Sequence, residues 1–142
     1  IVRSLVGSEM CIRDRLETGV DMFLDIHGDE AIPYNFVAGS EGIPSYDERL
    51  TSLETSFKQA LHTVTPEFQD EFGYDKDEPG KANLTVGSNW VGEQFKCLSY
   101  TIEMPFKDNN DYPDPLYGWS PERSLQFGAD TLSATLAVSD KI

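Results

Sequence analysis

From Leu98 to Met104 the residues alternate strictly: Leu98, Tyr100, Ile102 and Met104 are apolar, Ser99, Thr101 and Glu103 are polar, and Pro105 follows. Side chains two apart share one face of an extended chain, so this period of two demands a β-strand with one apolar and one polar face. Proline removes a ladder donor and stops the strand, which leaves Glu103 on the polar face at the C-terminal end. A second run obeys the same rule, with Val20, Met22, Leu24 and Ile26 on one face and Asp21, Phe23, Asp25 and His27 on the other. His27-Gly28-Asp29-Glu30 breaks this run, and residues 34–38, closed by Gly39, read as another short strand.

Helical signals lie between and after the strands. Ser45 with Glu48 three residues later is a capping box, and Leu50, Leu53, Phe57, Leu61 and Val64 recur at helical spacing, which predicts a helix over 46–64. A shorter helix is expected over 89–96. Ser120-Pro121-Glu122 supplies an N-cap, a proline at the first helical position and an acid in the first turn, ahead of Leu125, Ala129, Leu132 and Leu136. That spacing predicts a closing helix packed on the sheet through those side chains. The stretch 66–87 is rich in Gly, Pro, Asp and Glu, lacks periodicity, and reads as a loop over a site. Strands interleaved with amphipathic helices make the fold class α/β.

Charge narrows the function. The formal net charge is -14, from 11 basic and 25 acidic residues, and such a field repels phosphate backbones and anionic lipid surfaces. Neither nucleic acid nor a membrane is expected as a partner, and no apolar run approaches the roughly 20 residues that span a bilayer. A content of 39% hydrophobic residues suffices for a core. Two cysteines, Cys11 and Cys97, make neither a disulfide framework nor a metal knuckle, so a reducing, cytoplasmic setting is expected. Residues 1–15, IVRSLVGSEMCIRDR, lack periodicity and resemble translated adapter sequence fused to fragment ends. They read as a foreign leader, with a natural helix as the alternative, and the domain proper then covers 16–142.

Ligands gather at the carboxyl ends of strands in open α/β sheets, which is where His27 and Glu103 both fall. A histidine ending a strand, with Asp25 two residues back on the same face, suits metal ligation, the carboxylate orienting the other ring nitrogen. Alone, His27 reads more often as a hydrogen-bonded structural residue, and Glu103 equally as one end of a salt bridge. His62 reads as a cation placed favourably against a helix dipole. Asp108, Asp111 and Asp114 lack the glycine and terminal glutamate of a calcium loop and read as a solvated turn. Cys97 reads as a small apolar residue at a strand start.

Two segments, taken together, carry a resemblance. GVDMFLDIHGDEAIPYNFVAGSEGIP is similar to the third-ligand region of the zinc carboxypeptidases, specifically the bacterial proteins similar to cytosolic carboxypeptidases. LSYTIEMPFKDN resembles that family's strand bearing the catalytic glutamate, and the order and separation of the two segments match as well. The resemblance extends from about Leu16 onward. It implies the C-terminal half of a mixed-sheet, phosphorylase/hydrolase-like catalytic domain with helices packed on the sheet. By position it implies His27 as one zinc ligand, Asp25 behind it, and Glu103 as general base. It also implies a tyrosine that closes over substrate from the loop before the Glu103 strand, where Tyr74 is the only tyrosine. The family's other two zinc ligands, in an HxxE motif, and its substrate-holding arginines and asparagine belong upstream of this stretch.

One zinc ion is thus implied, with two of its three protein ligands elsewhere. The implied reaction is hydrolysis of a C-terminal peptide or isopeptide bond by metal-activated water, acting on peptide or protein tails. If those tails are acidic, as for eukaryotic relatives, Lys76, Lys81 and Lys96 are candidates for a basic pocket. The chain alone, with one ligand, is expected to be inactive and to leave a sheet edge uncovered. Two rivals stand beside this reading: an aspartoacylase-like zinc amidohydrolase that cleaves small acyl amino acids, and a non-catalytic binding module with a degenerate metal site.

Overall fold

A computed structural model describes residues 19–142, so the leader read over 1–15 and Cys11 lie outside the described residues. Strands β1 (Met22–Asp29), β2 (Phe36–Ala38) and β3 (Leu98–Pro105) form one mixed sheet in the order β1-β3-β2. β1 runs parallel to β3, with His27 in register beside Glu103, and β2 runs antiparallel, with Phe36 beside Glu103. The expected break at residue 28 does not occur. The ladder with β3 carries β1 on through Gly28 to Asp29, which pairs with Pro105.

β3 is the central strand and is buried on both faces. On one face Tyr100 and Ile102 pack under α1 (Glu48–Val64), where Phe57 stacks on Tyr100 with ring centroids 5.6 Å apart. On the other, the Ser99 hydroxyl donates to the Ser88 carbonyl at 2.6 Å, and the hydroxyls of Ser88 and Thr101 lie 3.0 Å apart. Helix α2 (Gly87–Phe95) therefore covers the polar face. Buried hydroxyls left unpaired would cost about 1–3 kcal/mol each, and α2 supplies the partners.

α1 starts at Glu48 instead of residue 46, and Asp47 is its N-cap in place of Ser45. The Asp47 carboxylate accepts from the Leu50 N–H at 2.9 Å, while the Ser45 N–H donates to Glu93. Aspartate caps as strongly as serine, and the one nearer the first turn takes the position. Leu50, Leu53, Phe57 and Leu61 are buried as their spacing predicts, and Glu54 is buried among them.

The last helix, α3 (Pro121–Ala137), has the expected Ser120 cap and Pro121 start, yet the expected apolar face is the wrong one. Leu125, Leu132 and Leu136 are 76%, 71% and 75% exposed, and Ala129 is exposed as well. Phe127, Thr131, Ala134 and Val138 are buried instead, and α3 packs chiefly on α1, not directly on the sheet. Arg123, on the buried stripe, sets this rotation. Its guanidinium bonds Glu67 and Asp108, donates to the carbonyls of Gly118 and Tyr112, and lies 4.6 Å from the Trp119 ring centroid. Four hydrogen bonds from one rigid guanidinium outweigh a stripe of leucines with no partner among the described residues.

The two stripes make a direct test. Phe127→Ala should cost about 3–5 kcal/mol, and Leu132→Ala should stay within about 0.5 kcal/mol, in denaturant unfolding. Equal losses would put both stripes in the core. No helix among the described residues is long and apolar enough to cross a membrane.

Candidate active site

Asp25, His27 and Asp29 occupy alternate positions of β1 and share a face with Thr101 and Glu103 on β3 and with Phe36 and Ala38 on β2. That face opens into a cavity of about 710 Å³, walled opposite by loop residues 70–77 and by the start of α2. His27 and Glu103 both line it, as register partners on strands about 4.8 Å apart. The loop between α1 and α2 thus lies over this cavity.

His27 Nε2 lies 3.0 Å from Asp25 Oδ1. This contact fixes the ring and leaves Nδ1 for a further partner, the arrangement in which a carboxylate orients a metal-binding imidazole. Glu103 is 5% exposed; its Oε1 accepts from the Tyr74 hydroxyl at 3.0 Å, and its buried Oε2 has no hydrogen-bond partner. Burial raises the Glu103 pKa above the ordinary glutamate value, against opposing contributions from Tyr74 and His27. A buried carboxylate oxygen without a donor is what a proton-accepting group facing a bound water would present.

The Tyr74 hydroxyl also donates to Asp29 Oδ2, at 2.7 Å. A phenol has one proton, so with both carboxylates ionised the hydroxyl shares it in a forked bond, and the shorter distance gives Asp29 the larger part. Asp29 is the better acceptor: its Oδ1 receives the N–H groups of Ala31 and Ile32 at 2.7 and 2.6 Å. The Ile32 N–H and the Tyr74 hydroxyl hold its pKa below the ordinary aspartate value. The Tyr74 ring, edge-on to Phe36 at 5.0 Å between centroids, is anchored to the sheet from the loop.

Asp29 is the residue that motif reading passed over. Its signal was present in the alternation of Asp25, His27 and Asp29, which the glycine at 28 masked. The one HxxE spacing in the chain, His27-Gly28-Asp29-Glu30, does not supply the missing ligand pair, since Glu30 is exposed and outside the cavity wall. Among the described residues no group of three His, Cys, Asp or Glu side chains is arranged to hold a metal. His27 backed by Asp25 fits one ligand of such a centre.

Of the candidate basic residues, only Lys76 lines the cavity, joined there by Lys58. Both approach Glu41 Oε1, at 3.0 and 3.9 Å, while Lys96 is the left-handed C-cap of α2. His62 pairs with Asp70 at 3.2 Å beside Phe68. Asp108 is committed to Arg123 and to the Asp114 N–H, and Asp114 to the N–H groups of Leu116 and Tyr117. Cys97 is buried, and burial pushes its thiol up to about 11.

No protein-family model matches the chain. An uncharacterised protein of Zymomonas mobilis is 46% identical over 132 residues, covering 92% of this chain and 35% of that protein. A Shewanella denitrificans protein assigned as a carboxypeptidase A is 59% identical with a TM-score of 0.91, and a Pseudomonas aeruginosa metallo-carboxypeptidase, solved with (2-guanidinoethylmercapto)succinic acid, is 47% identical with a TM-score of 0.90. A Burkholderia cenocepacia metallo-carboxypeptidase is 44% identical with a TM-score of 0.85. Each of the three structures is matched over 94% of this chain and 35% of its own. The chain therefore spans about a third of the length of these relatives, in the C-terminal part of the solved chains. Over that third, by sequence and by fold, the chain is similar to metallo-carboxypeptidases.

Proposed function

We propose that this stretch supplies part of the catalytic centre of a zinc-dependent carboxypeptidase that hydrolyses C-terminal peptide or isopeptide bonds. The observation that carries the reading is the pair of register partners His27 and Glu103 opening into one cavity, with Glu103 Oε2 buried and unpartnered. His27 would hold the zinc through Nδ1, and Asp25 keeps the ring turned for it through Nε2. Bound zinc supplies a water ligand whose pKa falls to about 7. Glu103 takes a proton at Oε2 and passes it to the departing amine, a role suited by a pKa raised toward the working pH. In this reading the chain by itself, with one such ligand among the described residues, is inactive.

The test uses a full-length enzyme containing these residues. It should bind one zinc, cleave a peptide with a free C-terminus, and leave the amidated peptide intact. His27→Ala should remove the metal, measured by metal analysis after dialysis. Retained zinc in that variant, or equal cleavage of the amidated peptide, contradicts the reading. Hydrolysis confined to N-acyl amino acids would favour the amidohydrolase instead.

A further inference from the structure

We propose that Asp29 is a positioning residue: through the Tyr74 hydroxyl it locks the Glu103 carboxylate so that Oε1 is held and Oε2 alone is left without a partner. The inference rests on the reading of Glu103 as the base. Four contacts build the arm. Asp29 is itself fixed by the Ala31 and Ile32 N–H groups on Oδ1, its Oδ2 takes the Tyr74 hydroxyl at 2.7 Å, and the same hydroxyl meets Glu103 Oε1 at 3.0 Å. Tyr74 comes from a loop with no helix or strand of its own and is half-exposed, so packing against Phe36 alone does not specify where its oxygen lies. Asp29 does, because it stands on β1, two residues beyond His27 and on the same face. A carboxylate free to rotate would present either oxygen; one held at Oε1 presents a single acceptor in a single orientation. Tyr74 in this arrangement serves the base as well as any substrate.

The experiment uses the full-length enzyme with tyrosine labelled at the ring carbon that carries the hydroxyl, and Tyr74→Phe to assign the Tyr74 resonance. In the zinc-free protein, Asp29→Asn and Glu103→Gln should each shift that resonance. Asparagine keeps an oxygen for the Ala31 and Ile32 N–H groups, so the turn survives. In the zinc-loaded enzyme, Asp29→Asn and Tyr74→Phe should each lower kcat roughly tenfold with KM within about twofold, as removing a partner that orients a site residue does. The double variant should be no slower than the worse single one. A resonance unmoved by Asp29→Asn, additive losses, or a rise in KM alone would overturn the proposal, the last marking Tyr74 as a substrate contact only. An enzyme without peptidase activity sinks the carboxypeptidase reading separately and leaves the resonance to decide the positioning.

Discussion

Glu103→Gln in the full-length enzyme should lower kcat by about 10²–10⁴-fold, the range attributed to a positioned general base, with zinc content unchanged. The amide has the shape of the carboxylate and still offers an oxygen to Tyr74, so the strand, the loop and the cavity wall should keep their places. What disappears is the basic lone pair at the second position, where Oε2 now stands without a partner. Because that group acts only as the proton moves, kcat and kcat/KM should fall together and KM should hardly change. His27→Ala differs in kind, losing metal first and rate as a consequence. A Glu103→Gln enzyme turning over near the parental rate would move the base to another residue, and a variant that also lost zinc would make Glu103 part of the metal site.

Why was so much of this site legible in the chain? Period two is unforgiving: a shift of one residue would send every side chain to the opposite face, so the alternations through His27 and Glu103 placed both groups on polar faces near the carboxyl ends of their strands, although β1 runs on to Asp29. Their pairing as parallel neighbours needed the fold, since nothing local tells one strand which other strand it joins. Helix rotation was harder to read. Residues 123–138 carry two stripes at helical spacing, Leu125, Ala129, Leu132 and Leu136 beside Phe127, Thr131, Ala134 and Val138, and the more hydrophobic one proved to be the outer one. The deciding group, Arg123, works through partners as distant in sequence as Glu67, which no window of neighbouring residues contains. Asp29 and Tyr74 were missed as a pair for a similar reason, being 45 residues apart and joined only by tertiary contact. Glu54 was hidden differently. It sits at the buried spacing of α1, between Leu50 and Phe57, where an acid is passed over as solvated.

That buried acid should make stability depend on pH in a direction opposite to ordinary acid denaturation. Burial first, and the charge of Glu41 second, push Glu54 from 4.5 up to about 7, against the Tyr46 hydroxyl, the Ser40 N–H and Lys58, which favour its charged form. Between roughly those two pH values the folded chain holds a proton that the unfolded chain has released, so the contribution of Glu54 to stability falls as pH rises through the window. Above about 7 the full penalty remains, on the order of 3 kcal/mol, and below about 4.5 it vanishes. Glu54→Gln keeps an oxygen for the Ser40 N–H, now 3.2 Å from Oε1, and carries no charge to desolvate. The variant should therefore match the parent near pH 4.5 and exceed it at pH 8, in urea unfolding followed across that range. Taking the difference between the two proteins at each pH removes the titrating groups that are not coupled to Glu54, including Asp29, whose lowered pKa acts in the opposite sense. Glu41→Gln should produce part of the same gain, because the second cause of the shift is its charge. A constant difference between parent and Glu54→Gln from pH 4.5 to 8 would mean that Glu54 titrates like an exposed carboxylate. In that case it could not be packed behind the cavity wall at Gly39, where an added Cβ would stand 2.8 Å from its Oε1.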